Sequence, residues 1–281
     1  MVAQDKRGEK MEEKRIEELK QYCHLMRQDV LRMAKAAGSS GLHFGGSLSM
    51  IEIAAALYLE VMNISKDLLS SEERDRFILS KGHGVPAVYA ALRQIGILTE
   101  EELDTFKNNT TELYGHPCMN ERLGIEYSTG SLGQGLSLAV GAALGMRHKG
   151  NNSSRVFVVL GDGECDEGSV WEAAMSASQF SLNNIVAIID RNKLQYDGDT
   201  EGIMRLESLK EKWSSFGWEA IEIEGNDVAA CCNAFSMQST KPLVVIADTI
   251  KGKGISFMEN DPSWHHKKMS SAQEKLAMEE I

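Results

Sequence analysis

Val156-Phe157-Val158-Val159-Leu160-Gly161-Asp162-Gly163 is the stretch whose reading decides the fold. Five apolar residues run into a Gly-Asp-Gly turn. A second apolar run, Ile185-Val186-Ala187-Ile188-Ile189, leads to Asn192, thirty positions after Asp162. Between them, Ser169 to Phe180 reads as a helix. The unit is a strand, a helix and a strand, with an oxygen-bearing side chain at the exit of each strand. Sequential parallel strands joined by such a crossover are often neighbours. Both oxygens are then expected at the carboxyl edge of one sheet, where open α/β sheets bind ligands. One carboxylate and one amide oxygen form a partial cage suited to Mg²⁺, which completes its octahedron with phosphate oxygens and water. Flanking glycines let the backbone approach a phosphate closely. The expectation is an α/β fold, a parallel sheet flanked by helices, holding a diphosphate through a divalent metal.

Outward from this unit, residues 9–37 carry apolar residues at helical spacing, from Ile16 through Met33, and read as one amphipathic helix. A loop rich in small residues, Gly38 to Ser47, precedes a helix expected from Leu48 to Leu59. Arg76 to Leu79 reads as a short strand ending at Ser80-Lys81-Gly82-His83-Gly84, and Pro86 opens a helix to Gln94. Residues 99–127 read as polar loop. Gly135 to His148 is small and apolar, as in a tightly packed helix. Leu206 to Phe216 reads as a helix, 218–223 as an alternating strand, and Leu243 to Asp248 as the last strand. The tail from about 267 to 281 is charged. No repeat or change of composition divides the chain, so 1–281 is expected to be a single domain.

The chain has 281 residues, 42% of them hydrophobic, enough for a substantial core and too many for a disordered chain. The net charge of −11 disfavours nucleic acid and anionic lipid as partners. An anionic cofactor therefore needs local positive potential, from a metal, lysines, histidines and helix amino termini. The charged start, Met1 to Lys20, has no apolar segment of a secretory signal, and no apolar run reaches the length of a membrane span. The five cysteines lack metal-like spacing; Cys231-Cys232 reads as part of a helix face. A reducing cytoplasm is the expected location. No Gly-x-Gly-x-x-Gly follows the first strand, which argues against a nicotinamide-binding enzyme.

Gly161-Asp162-Gly163, a spacer just under thirty residues long and Asn192 resemble the thiamine-diphosphate signature. The wider segments Gly161 to Gly168, Trp171-Glu172-Ala173, Asp190 to Leu194 and Ser80 to Gly84 resemble transketolase. Thr129-Gly130-Ser131-Leu132-Gly133-Gln134-Gly135 is similar to that family's Gly-Pro-Leu-Gly-Gln-Gly, with Ser131 in place of proline. The likeness runs from about Gly38 to His265 and matches the amino-terminal, diphosphate-binding part of the family.

This resemblance implies a set of roles. Asp162, the side-chain oxygen of Asn192 and the backbone carbonyl of Leu194 would bind Mg²⁺ or Ca²⁺. His83, Gly161, Gly163, Glu164 and Asn192 would serve the cofactor, and Gly130, Ser131 and Leu132 would lie along its rings. Lys251, at the exit of the last strand, would lie near the diphosphate. His43, His116 and His265 would face the sugar, since imidazoles suit proton transfer near neutral pH. His43 departs from the family's common Gly-His-Pro-Gly, since it stands in Leu42-His43-Phe44-Gly45, and the wider block from Ser39 to Leu48 instead resembles the deoxyxylulose-phosphate synthase version. Glu167 would join a carboxylate network between active sites, against the plainer reading of a first-turn helix acid.

The implied reaction transfers a two-carbon ketol unit from a ketose, usually a phosphate, to an aldose. The pyrimidine-binding domain of the family, with its activating glutamate, is not matched. The resemblance therefore implies a separate partner chain carrying it, an α₂β₂ assembly, and activity only in that company. The alternatives are a subunit of another thiamine-diphosphate enzyme, deoxyxylulose-phosphate-synthase-like or 2-oxoacid-decarboxylating, and a non-catalytic module that retained the fold.

Overall fold

The computed structural model describes residues 12–281. Its centre is a five-stranded sheet in the order β1-β2-β3-β7-β6. The strands are β1 (Arg76–Leu79), β2 (Val156–Gly161), β3 (Ile185–Arg191), β6 (Glu219–Glu224) and β7 (Leu243–Asp248), and every pairing is parallel. A small antiparallel ribbon, β4 (Leu194–Gln195) with β5 (Gly198–Asp199), stands apart from it. The helices are α1 (Glu13–Ala37), α2 (Phe44–Leu48), α3 (Ile51–Ala56), α4 (Val85–Gln94), α5 (Glu100–Leu103), α6 (Gly135–His148), α7 (Gly168–Gln179), α8 (Thr200–Ile203), α9 (Leu209–Ser215), α10 (Val228–Phe235) and α11 (Ser271–Glu280). No described helix is long and apolar enough to cross a membrane.

The apolar runs form inner strands because successive side chains point to opposite faces and both faces are covered. Phe157 and Val159 of β2, Val186 and Ile188 of β3, and Val245 of β7 pack beneath α1, α3, α4 and α10. Val156, Val158, Leu160, Ile185, Ala187, Ile189, Val244 and Ile246 join the opposite layer, with α6, α7 and α9. The edge strand β6 is more open, with Glu219, Glu222 and Glu224 exposed; acids on an open edge discourage pairing with another chain. The register pairs Gly161 with Asp190 and Asp190 with Ala247, so β2, β3 and β7 end at one level. Uniform polarity brings Ser80, Asp162, Asn192 and Thr249 to the same rim.

Several boundaries differ from expectation. Residues 9–11 of the expected first helix lie outside the described residues. The helix expected from Leu48 to Leu59 is two helices, α2 and α3, followed by a wide turn over Leu57–Val61 in which Met62 N–H donates to Leu57 O at 2.9 Å. The break falls at Ser49-Met50, where the Ser49 hydroxyl donates to Asp190 at 2.6 Å and ties this turn to the sheet. The helix expected from Leu206 starts at Leu209, because Ser208 caps it by accepting from Glu211 N–H at 3.2 Å. The polar region after residue 99 contains α5, begun by a Thr99–Glu102 capping box. Cys231 and Cys232 lie on α10, both buried.

Candidate functional site

The floor of the rim is a network of buried charges. Lys81 and Asp190 form an ion pair with side chains 1% and 0% exposed. Asp190 also accepts from the hydroxyls of Ser49 and Thr249 and from Asn192 Nδ2 at 3.3 Å. Burial pushes its carboxyl up, but Lys81 and the two hydroxyls outweigh that and hold it below the usual carboxylate range. Asp190 is thereby committed to the protein, and it orients Asn192 through the amide NH₂.

Asp162 follows β2 directly. Its Oδ1 accepts from Gly163 N–H at 2.8 Å, and its Oδ2 from Lys193 N–H at 2.6 Å and Arg191 Nη1 at 3.2 Å. Burial and the neighbouring Asp190 raise its carboxyl above the ordinary value. Lys193 sits at φ 64°, the left-handed region that side chains rarely adopt. This sharp turn brings Asn192 Oδ1 to 3.2 Å from Leu194 N–H and turns Leu194 O toward Lys251 Nζ, 2.6 Å away. Lys251 is 2% exposed; burial and then Lys81 push its ammonium down to about 8. It also lies 3.3 Å from His265 Nδ1.

These residues fit a metal-bound diphosphate. Asp162, Asn192 and the Leu194 carbonyl gather around one turn as three oxygen donors, the partial set that Mg²⁺ takes beside phosphate oxygens. Gly163 lies against Gln195, where an added Cβ would stand 2.6 Å from Oε1; that buried amide oxygen has no hydrogen-bond partner. A Cβ on Gly82 would stand 2.9 Å from Thr129 O and 3.0 Å from Gly130 N, so the two loops touch backbone to backbone. Ser131 and Leu132, beyond them, are exposed at the rim.

Glu164 serves the scaffold. It accepts from Ser80 Oγ, from Gly133 N–H at 2.8 Å and from Gly161 N–H at 3.0 Å. One buried acid thus joins the exits of β1 and β2 to the 129–135 loop. Burial, opposed by Ser80 and those two N–H donors, raises its carboxyl. Glu167 is exposed at the start of α7 and caps no backbone group there. Its side chain lies against Gly133, in the loop that Glu164 holds.

Above the floor the rim is lined with imidazoles. The His43 ring lies 5.5 Å from His83, 5.5 Å from His116, 5.6 Å from His265 and 4.4 Å from His266. His83 and His265 are 5.1 Å apart. His43, His83, His116 and His265, expected from sequence, therefore form one cluster. Burial lowers them all: His43 to about 3, His265 to about 4, and His83 and His116 below the ordinary value. The imidazoles are neutral at neutral pH, each with one donor and one acceptor nitrogen. Gly46 makes the room: a Cβ there would stand 2.6 Å from the His83 ring. Tyr196, in the β4–β5 turn, places its exposed ring 5.3 Å from His265.

Sequence reasoning missed Asp190, Lys81, Gln195 and His266 as parts of this arrangement. Lys81 and Asp190 stand inside recognisable motifs, flanked by residues of more obvious chemistry. His266 is overshadowed by His265.

The chain is similar to known proteins over most of its length. Residues 19–279 match the family described as transketolase, thiamine diphosphate binding domain. The chain is 40% identical over 267 residues to an apulose-4-phosphate transketolase subunit of Actinobacillus succinogenes, covering 94% of this chain and 96% of that protein. It is 43% identical over 244 residues to a 6-deoxy-6-sulfo-D-fructose transketolase subunit of Clostridium sp., covering 85% and 88%. It is 35% identical to human transketolase, covering 97% of this chain and 43% of the human protein. A solved Campylobacter jejuni transketolase superposes with a TM-score of 0.83 at 28% identity, over 93% of this chain and 42% of that one. The chain spans less than half the length of these last two proteins and nearly all of the two named subunits. It belongs to the transketolase family, as a subunit carrying the thiamine-diphosphate-binding domain.

Proposed function

We propose that this chain is the N-terminal subunit of a two-chain transketolase. With its partner it moves a two-carbon ketol unit from a ketose bearing an anionic end group to an aldose. The observation that carries the reading is the meeting, at one rim, of the oxygens of Asp162, Asn192 and Leu194 with the imidazoles of His43, His83, His116 and His265. Relatives of matching length are named as subunits, which supports a separate partner chain carrying the pyrimidine-binding domain. Their named sugars carry a phosphate or a sulfonate, which supports an anionic ketose. In this reading residues 1–281 form one diphosphate-binding domain within an α₂β₂ assembly. Among the described residues all five cysteines are free thiols, which suits a reducing cytoplasm.

Thiamine diphosphate, when bound, supplies the carbanion chemistry that breaks and forms the carbon–carbon bond. Asp162, Asn192 and the Leu194 carbonyl would hold Mg²⁺ or Ca²⁺ and through it the diphosphate. Gly161, Gly163 and the Gly130-Ser131-Leu132 segment would offer backbone along the cofactor. Glu164 positions that backbone. Lys251 would contribute positive charge beside the diphosphate. His83, in the loop that follows β1, would donate toward the cofactor. His43, His116 and His265, held neutral by burial, accept a hydroxyl proton at a ring nitrogen and return it when the new bond forms. Glu167, exposed beside Gly133, fits a carboxylate link between active sites.

Purified chain, partner chain, thiamine diphosphate and Mg²⁺ are to be assayed with a ketose phosphate and an aldose. Turnover is expected only with both chains. Robust turnover by this chain alone would remove the two-chain reading. Carbon dioxide release from pyruvate in place of ketol transfer would move the assignment to a 2-oxoacid-decarboxylating enzyme.

A further inference from the structure

The charges on the floor do not balance evenly. Lys81 is paired with Asp190, and Arg191 is held by Asp162, Glu201 and Glu207. Lys251 has no ion-pair partner among the described residues; its ammonium meets the neutral Leu194 carbonyl at 2.6 Å and neutral His265 at 3.3 Å. A buried ammonium is normally paired with an acid. This one is also firmly aimed. A Cβ on Gly45 would stand 2.9 Å from two carbons of the lysine stem, and Gly252 N–H donates to Gly45 O at 3.2 Å, so the stem runs in a backbone groove. The group it reaches is the carbonyl that the functional reading gives to the metal.

We propose that Lys251 makes the site reject a bare divalent cation and accept one only together with an anionic diphosphate. The inference rests on the reading of Asp162, Asn192 and Leu194 as metal ligands. The physical reason is local. A lone dication would have to displace or crowd a fixed ammonium, and Asp162, the acid it would meet, is already shared with Arg191. Like charges at such range repel strongly in a buried site. A diphosphate adds negative charge between the two cations, so metal and ammonium then support the same ligand. The device would keep abundant free metal from occupying the site unproductively and would couple the two binding events in both directions.

Titration of the full chain with Mn²⁺ alone, followed by loss of the aqueous Mn²⁺ resonance signal, tests this directly. Equilibrium dialysis with Mn²⁺ and inorganic pyrophosphate measures the coupled event. Wild type is expected to bind bare Mn²⁺ weakly and the pair well. Lys251→Met is expected to bind bare Mn²⁺ at least about tenfold tighter and to lose most of the advantage given by pyrophosphate. Lys251→Gln, neutral but still able to donate to the carbonyl, is expected to fall between. Thermal unfolding confirms that both variants are folded, and either suffices for the test. Equal or weaker binding of bare Mn²⁺ by the variants would overturn the proposal. Adding Asp162→Asn to Lys251→Met is expected to abolish the gain. A gain that survives this change would locate the cation elsewhere and overturn the metal-ligand reading itself.

Discussion

The floor and the rim of the site are built on opposite principles. On the floor, charged groups are buried and tied to one another: Lys81 with Asp190, Arg191 with Asp162, Glu201 and Glu207. On the rim, five imidazoles crowd together, and none has a carboxylate within ion-pairing distance among the described residues. The floor fixes charge, which suits the proposed binding of an anion through a cation. The rim stays neutral, so each ring keeps an acceptor nitrogen for the hydroxyl protons of the proposed reaction. A carboxylate placed among the histidines would raise them and leave them partly charged near pH 7.

This contrast is most easily broken at Asp162. Asp162→Asn removes the only floor carboxylate offered to a metal, and Mn²⁺–pyrophosphate affinity is expected to fall by more than about 100-fold, beyond the loss typical of an outer-shell partner. Calorimetry checks this, and an unchanged affinity would mean that the floor is purely structural. Next comes Glu164→Ala, which leaves the Ser80 O–H and the N–H groups of Gly133 and Gly161 without an acceptor. A loss of about 3 kcal/mol in folding stability is expected by denaturant titration, with a smaller loss for Glu164→Gln.

Gly46→Ala tests whether floor and rim share a wall. The new methyl would stand 2.6 Å from the His83 ring and push it aside. A drop of roughly tenfold in diphosphate affinity is expected, about 1.4 kcal/mol, with the fold retained by circular dichroism. The neutrality of the rim has a pH signature. Histidines whose folded values are lowered stabilise the protein above their ordinary value near 6.5, and that stability is lost as pH falls, toward about 4 for His265 and about 3 for His43. The melting temperature is expected to decline by several degrees from about pH 6.5 to pH 5, and His43→Asn is expected to flatten the slope. The smallest effect belongs to His266, which is exposed and borders His43. His266→Ala is expected to raise KM for the sugar about threefold, the worth of one exposed hydrogen bond, with kcat nearly unchanged.

Much of this molecule was legible from residues 156–192. Continuous apolar runs can satisfy both faces of a covered parallel sheet, and the turn chemistry after each run marks the ligand-binding edge. The four expected histidines converge although they are spread from position 43 to 265, because each follows a strand exit or borders a loop of the same rim. The breaks were harder. Ser49 ends α2 by reaching Asp190, a residue far away in sequence, and no local pattern announces that. The apolar periodicity from Leu206 sets no start, and it is the Ser208 side chain, accepting from Glu211 N–H, that fixes the first turn of α9. Glu164 reads as a ligand in a line of sequence; only the folded chain turns it toward Ser80, Gly133 and Gly161. Lys81 and Asp190 neutralise each other, and a pairing across more than a hundred residues leaves no periodic trace.

Uniform strand direction divides this protein's evolutionary freedom in two. Chemical identity is concentrated in a thin belt of connecting segments, while the apolar interior carries no address for any particular sugar. New selectivity could arise by editing a handful of belt residues, or by exchanging the companion polypeptide that meets them, with the inherited foundation left untouched.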